Sequence, residues 1–245
     1  MVELTLLGVF VGAIAGFFGI GGGAILIPIL LLLGYEIKEA IGISVVQMVF
    51  SSIYGSYLNN KKGNLDIPMV ITIGIGGAVG AFFSGNITSS FSDKTLEIVF
   101  LSFILFALIK MFFKTTHSVV QRDVSSVTLF TIGFILGAIS MSVGVGGGLL
   151  LVPILVGVLH IELKKAISAG LFFVVFSSIS GVISHSLSRD INFESGIIIG
   201  LASMIGVYIG IIFKDKIESK LQKKILLGFY LLIFIYLIDR IFING

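Results

Sequence analysis

Gly19-Ile20-Gly21-Gly22-Gly23 interrupts a long apolar segment near the N-terminus, and Pro28 follows five residues later. The pattern returns as Gly144-Val145-Gly146-Gly147-Gly148 with Pro153, every position displaced by 125. Glycine adds backbone freedom and contributes no side-chain packing, so consecutive glycines break a helix. A glycine cluster inside two apolar segments, placed alike in two halves, predicts two broken membrane helices that line a binding site.

The composition indicates an integral membrane protein. Hydrophobic residues make up 56% of the chain, charged residues only 12%, and the mean hydropathy is +1.15. A soluble domain carries about 25% charged residues, so these side chains cannot cover a water-facing surface. The net charge of +3 is typical of a membrane protein with lysine and arginine in its cytoplasmic loops. No basic patch is interleaved with aromatic residues, which argues against a nucleic-acid partner. The chain has no cysteine, and therefore no disulfide or thiolate metal site.

Other landmarks repeat in the same register. Gly8 and Gly12 return as Gly133 and Gly137, and Ser51-Ser52 returns as Ser177-Ser178, displaced by 126. The four-residue glycine spacing predicts helices that pack closely in lipid. The predicted domains are a first membrane repeat, a connector and a second membrane repeat, over residues 1–116, 117–126 and 127–245. In the first repeat we expect a glycine-broken hairpin and three long spans, over residues 4–34, 38–58, 68–90 and 95–113. The first seven residues lack lysine and arginine, so the first apolar segment is expected to remain in the mature protein.

The distribution of lysine and arginine predicts the topology. If each glycine-broken segment crosses the membrane once, the 16 basic residues divide into seven and nine. If each returns to the side it entered, the division is twelve and four, a clear positive-inside asymmetry. We therefore expect an all-α polytopic protein of the cytoplasmic membrane, with two inverted-topology repeats, eight to ten membrane segments and both termini outside. Whether the hairpin arms are re-entrant or short full spans is left open.

The candidate substrate-binding residues lie at the glycine clusters and on the neighbouring helices. A helix that begins after three glycines presents unpaired N–H groups and a partial positive charge, which suits an anion. The competing interpretations are that glycine permits close packing and that serine bonds its own helix. Gln47 is the strongest single candidate, because a primary amide in mid-span requires a partner. The predicted site residues are Gly21, Gly22, Gly23, Gly146, Gly147, Gly148, Gln47, Ser51, Ser142 and Ser177.

Ionisable residues and enzymatic motifs are informative by their absence. Asp66, Glu194, His185 and Arg189 are predicted at helix ends or loops, with His185 at the membrane interface, so no intramembrane proton relay is expected. The sequence contains no metalloprotease, P-loop or nucleophile-elbow motif. We therefore predict a protein that is not an enzyme and has no metal or cofactor.

The duplicated G-x-G-G-G-x-x-x-x-P, the S-S-x-x-G helix and the G-N-x-D loop (Gly63-Asn64-Leu65-Asp66) resemble the sulfite exporter TauE/SafE family. The second half departs at Arg189-Asp190-Ile191-Asn192, where the G-N-x-D form is lost. The resemblance implies a secondary transporter of small sulfur-containing anions such as sulfite, sulfoacetate and related organosulfonates.

Three functions are compatible with the sequence. The first is an anion transporter that works by alternating access, with the two glycine clusters at the repeat interface. The second is a passive anion channel or a transporter of another small organic anion. The third, a structural or assembly protein, is disfavoured because no extended soluble segment is present. The expected partners are a small anionic substrate and the lipid bilayer, with homodimerisation left open.

Overall fold

The computed structural model describes residues 1–63, 67–112, 125–157, 159–188 and 191–243, which form helices joined by short turns. The helices of the first half are α1 (Val2–Phe18), α2 (Gly23–Leu32), α3 (Ile37–Lys61), α4 (Ile67–Ala81), α5 (Ser84–Ser90) and α6 (Asp93–Phe112). Those of the second half are α7 (Ser126–Ser142), α8 (Gly148–Gly157), α9 (Leu163–Ser188), α10 (Phe193–Lys216) and α11 (Ser219–Ile238), followed by a π-helical turn, Asp239–Ile243. The all-helical fold class predicted from the sequence is confirmed.

The glycine clusters break the chain where the sequence predicts. Helix α1 ends because Gly19 adopts a left-handed conformation with φ of 74° and donates its N–H to the Ala15 carbonyl. Gly22, with φ of 101°, immediately precedes α2. In the second half Gly144 and Gly146 have φ of 66° and 70° before α8 begins. These dihedral angles favour glycine, so residue type alone accounts for the position of both breaks.

Four helical segments among the described residues are long and apolar enough to cross a membrane. They are Ile37–Lys61, Leu163–Ser188, Phe193–Lys216 and Lys220–Phe242. Helices α4 and α5, bent by 40°, form a fifth if they are counted together. The predicted uninterrupted helix over residues 68–90 is therefore wrong, because the chain bends between Ala81 and Ser84. Helix α6 occupies the place of the remaining predicted span of the first half.

The two halves are interlocked through their first helices. Helix α1 packs against α10 of the second half, and α7 packs against α4 of the first half. A Cβ added to Gly12 would lie 2.1 Å from the Ser203 carbonyl oxygen, and one added to Gly137 would lie 2.2 Å from that of Gly77. Backbones approach this closely only where side chains are absent, which confirms the predicted packing role of these glycines.

Polar contacts mark the two ends of the helical bundle. At one end Lys62 pairs with the Asp215 carboxylate, and the Lys164 ammonium donates to the Asp215 carbonyl over 3.3 Å. We call this the lysine-rich end. At the other end of α3, the Lys38 ammonium lies 3.3 Å from the Asp93 carboxylate. Helix α3 has 25 residues, so about 37 Å separate the two ends at 1.5 Å per residue.

Several sequence predictions fall outside the described residues. These are Asn64–Asp66 of the G-N-x-D loop, most of the connector at 117–126, and the Arg189-Asp190 pair. The division into domains 1–116, 117–126 and 127–245 therefore stays a prediction.

Candidate functional site

The two glycine clusters meet inside the protein. A Cβ at Gly23 would lie 2.0 Å from the Gly144 carbonyl oxygen, and a Cβ at Gly148 would lie 2.3 Å from that of Gly19. Each break therefore lies against the start of the other half's short helix. The approach is reciprocal, and at both positions a larger residue would collide with backbone rather than with a side chain that can move.

Gln47 lies at the first break, as a buried amide without a partner. Its side chain is fully buried, and neither Oε1 nor Nε2 hydrogen-bonds any residue that the structure describes. A Cβ on Gly22 would be 2.9 Å from Oε1 and 3.1 Å from Nε2, so the amide lies directly against the Gly22 backbone. A buried amide left unpaired costs about 1–3 kcal/mol, and buried polar groups of this kind call for a specific explanation.

The start of α2 adds unpaired backbone donors to this amide. The N–H groups of Ile25 and Leu26 donate to the Gly22 carbonyl. Those of Gly23 and Ala24 have no acceptor among the described residues. The first N–H groups of a helix carry its partial positive charge, so the amide of Gln47 lies beside an end that favours an anion.

Serine hydroxyls of α3 fix both breaks in place. Ser51, a predicted site residue, donates to the Gly21 carbonyl over 3.0 Å. Ser44, which the sequence did not single out, donates to the Gly144 carbonyl over 2.7 Å. Because Ser44, Gln47 and Ser51 follow one another at three- and four-residue intervals, one face of α3 contacts both glycine clusters.

The second break differs from the first in its side chains. Phe173 stands 126 residues after Gln47, and a Cβ on Gly147 would lie 2.0 Å from its ring carbon Cε1. The predicted site residue Ser177 donates within its own helix to the Phe173 carbonyl, over 3.2 Å. Ser142 likewise donates to the Ile139 carbonyl, over 2.8 Å. The second break thus has an aromatic ring where the first has an amide.

The remaining predicted glycines contact apolar side chains between the two breaks. A Cβ on Gly21 would lie 3.0 Å from Val174 Cγ1, and one on Gly146 would lie 2.5 Å from the Met48 sulfur. The structure thus brings all six predicted glycines together with Gln47 and Ser51. It directs the hydroxyls of Ser142 and Ser177 to carbonyls of their own helices.

Sequence reasoning missed a second polar cluster, at the lysine-rich end. The Lys214 ammonium is fully buried and donates to Asn59 Oδ1 over 2.5 Å and to Ser168 Oγ over 3.1 Å. In the predicted topology Lys214 is only one of the twelve basic residues on one side of the membrane. His185, in the last turn of α9, is also buried, at 1% exposure, with Nε2 3.2 Å from the Met141 carbonyl oxygen. Its predicted position at the membrane interface stays a prediction. The repeat register could have indicated these polar positions, because it aligns the polar residue Asn59 with the polar residue His185.

Comparison with known proteins identifies the family. Residues 4–237 match the model of the family described as sulfite exporter TauE/SafE. A probable membrane transporter protein of Methanocaldococcus jannaschii is 28% identical over 91% of this chain and 86% of its own length. The probable membrane transporter protein YdhB of Bacillus subtilis is 26% identical over 86% of this chain and 89% of its own length.

No solved structure matches the chain. The family match nonetheless extends over both glycine clusters and every helix from α2 to α10, and the curated relatives are named as membrane transporters. Together with the apolar helices, this shows that the chain belongs to the sulfite exporter TauE/SafE family and is a multi-pass membrane transporter of that type.

Proposed function

We propose that the chain is a secondary transporter that moves a small sulfur-containing anion, such as sulfite, sulfoacetate or a related organosulfonate, across the cytoplasmic membrane by alternating access. The observation that carries this proposal is the buried amide of Gln47, which has no partner among the described residues and lies against Gly22. A bound oxyanion would supply the missing hydrogen-bond acceptor.

The chemistry of the first break suits an oxyanion. The Gln47 Nε2 carries two N–H donors, and the N–H groups of Gly23 and Ala24 add two more without an acceptor among the described residues. The partial charge at the start of α2 contributes roughly 0.3–2 kcal/mol toward an anion. Hydrogen bonds to a charged group contribute about 1.5–3 kcal/mol each. These donors therefore account for useful affinity without a lysine or arginine at the site.

The closed state of the site supports alternating access over an open pore. Every residue from Phe17 to Pro28 is buried, and so is every residue from Ser140 to Pro153. An anion at Gln47 would be enclosed on both sides, as in the occluded intermediate of a transporter. A conformational change must therefore precede entry and release.

The ends of the bundle support the inverted topology, with both termini outside. Lys62, Lys164 and Asp215 meet at the lysine-rich end. In the parallel alternative, Lys62 and Lys164 would lie on opposite sides of the membrane. In the inverted arrangement they share the cytoplasmic side, in keeping with the positive-inside rule.

Counterflow in proteoliposomes tests the proposal. With purified protein, uptake of labelled sulfite and of sulfoacetate should saturate and should accelerate when unlabelled anion is present inside. Flux that rises linearly and shows no acceleration would instead indicate a passive anion channel. Chloride is the control for substrate class, and transport of chloride at the same rate would contradict the proposed selectivity.

A further inference from the structure

We infer that Lys214, Asn59 and Ser168 form a second anion-binding site at the lysine-rich end, a station on the path between Gln47 and the adjacent solution. This inference rests on the proposed transport at Gln47. It extends that proposal to the lysine-rich end, where the sequence alone predicts no binding site. Three helices supply the site, because Asn59 lies on α3, Ser168 on α9 and Lys214 on α10.

Lys214 is a charged group in an unusually buried position. Lys214 is fully buried and forms no salt bridge with any described carboxylate. Its acceptors, Asn59 Oδ1 and Ser168 Oγ, are neutral. Lys214 lies in the last turn of α10. A buried charge whose hydrogen-bond acceptors among the described residues are neutral calls for a specific explanation, and a bound anion would supply the opposite charge.

Further lysines surround Lys214 at this end of the bundle. The Lys164 ammonium donates to the Asp215 carbonyl, and Lys62 pairs with the Asp215 carboxylate. Together Lys62, Lys164, Lys214 and Asp215 carry a formal charge of +2. Clefts of one charge sign raise the local concentration and association rate of opposite charges by about 10- to 1,000-fold.

Buried polar side chains lie along α3 between Gln47 and Asn59. Gln47, Ser51, Ser56 and Asn59 are buried and follow one another along the length of the helix at three- to five-residue intervals. Ser56 Oγ has no hydrogen-bond partner among the described residues. The 12 residues from Gln47 to Asn59 correspond to about 18 Å at 1.5 Å per residue, so the two sites are distinct.

An apolar barrier lies between the two sites. We define it by four residues, Ala15, Leu171, Val207 and Ile211. These four residues form a cluster separate from the main core. A Cβ on Gly55 would lie 3.0 Å from Leu171 Cδ1 and 3.2 Å from Val207 Cγ1. Gly55 stands between Gln47 and Asn59 on α3, so the barrier closes the path at this level. Hydrophobic constrictions of this kind act as gates.

Among the described residues, the position equivalent to Lys214 in the first half carries no cation. Lys214 aligns with Thr88 in the repeat register, and Asn59 aligns with His185. Thr88 donates its hydroxyl to the Ser142 carbonyl over 2.6 Å. A buried lysine is therefore not required by the shared helical framework, since threonine occupies the same place in the other half. The burial of Lys214 is therefore better explained by a specific role at the lysine-rich end than by the repeated framework.

The absence of cysteine from the sequence permits a direct test. In the Ser168→Cys variant, an anionic methanethiosulfonate reagent bearing a sulfonate should react at least about tenfold faster than its cationic trimethylammonium counterpart. Lys214→Met in the same background should remove this preference, whereas Lys214→Arg should keep it. A cysteine at the exposed position Lys216, on the same helix end, gives the reference rates. Sulfoacetate should slow the reaction at Ser168→Cys but not at Lys216→Cys.

The outcomes separate this inference from the proposed function. No reaction with either reagent at Ser168→Cys, or equal rates for both, would overturn the second site even if counterflow at Gln47 is observed. If the charge preference and the protection by sulfoacetate appear but counterflow does not, the second site stands and the transport proposal fails. A preference that survives Lys214→Met would assign the effect to Lys62 and Lys164, and would overturn the role of Lys214.

Discussion

Gln47 and Phe173 occupy equivalent positions in the two halves, 126 residues apart, and each lies against a glycine of its own half's break. The amide of Gln47 faces Gly22, whereas the ring of Phe173 covers Gly147. The backbone framework is repeated but its chemistry is not. We therefore expect one anion-binding amide per chain, at the first break, in place of two symmetrical ones.

The Gln47→Leu variant should lose transport without losing stability. Loss of hydrogen bonds worth about 1.5–3 kcal/mol to a charged substrate corresponds to a fall in transport efficiency of roughly 10- to 100-fold. The unfolding temperature should not fall, because leucine removes a buried amide that has no partner among the described residues. Initial uptake rates and thermal unfolding of the purified protein measure the two effects. Ile43→Leu, at a buried position of the same helix, is the matched control, and unchanged uptake by Gln47→Leu would contradict the site.

Gly147 and Phe173 should be energetically coupled. Gly147→Ala places a methyl group where the Phe173 ring lies, 2.0 Å from Cε1, so this variant should unfold at a lower temperature. Phe173→Leu removes the obstructing ring and leaves a smaller side chain. The double variant should therefore lose less stability than the sum of the single variants, by about 0.5–3 kcal/mol. Additive effects in a double-mutant cycle would show that the ring moves away freely.

The helix-packing glycines should be intolerant of alanine. Gly12→Ala directs a methyl group at the Ser203 carbonyl, 2.1 Å away, and must separate α1 from α10. Overpacking costs about 1–3 kcal/mol, which lowers the unfolding temperature by roughly 2–12 °C for a chain of this size. At Gly228 a Cβ would meet nothing within 4 Å in the described structure, so Gly228→Ala should match or exceed the wild-type unfolding temperature. Equal effects of the two substitutions would contradict the close approach of these helices.

Single cysteines should report the inverted topology. Cysteines at the exposed positions Lys61 and Lys216 should react with an impermeant thiol reagent from the cytoplasmic side, and one at exposed Lys94 only from outside. Intact cells and inverted vesicles provide the two sides. A parallel arrangement of the repeats would instead place Lys94 with Lys216 and opposite Lys61.

Much of the fold could be predicted from local and periodic features of the sequence. Low charge content indicates a membrane protein because lipid-facing surfaces need no charged cover. Consecutive glycines locate the breaks at Gly19 and Gly144, since left-handed backbone is accessible there. The bend between Ala81 and Ser84 was missed, because the glycine-rich sequence around it gives no comparable signal for a break.

The site was predicted only in part. Gln47 could be identified because an amide in mid-span is costly anywhere in an apolar helix. Its missing partner, the ring of Phe173 at Gly147 and the burial of Lys214 could not be read from the sequence. Each depends on which side chains converge from separate helices when the chain packs.

The sequence by itself determined the membrane class, the duplication and the positions of the two helix breaks, because these follow from composition, register and the conformational freedom of glycine. Only the tertiary structure decided that α1 packs on α10 and α7 on α4, and that the two breaks meet. The same packing placed unlike side chains of the two halves against the breaks, with Gln47 at one and Phe173 at the other. The physical reason is that the burial and the hydrogen bonds of a side chain depend on the residues packed around it, and those residues come from other helices of the chain.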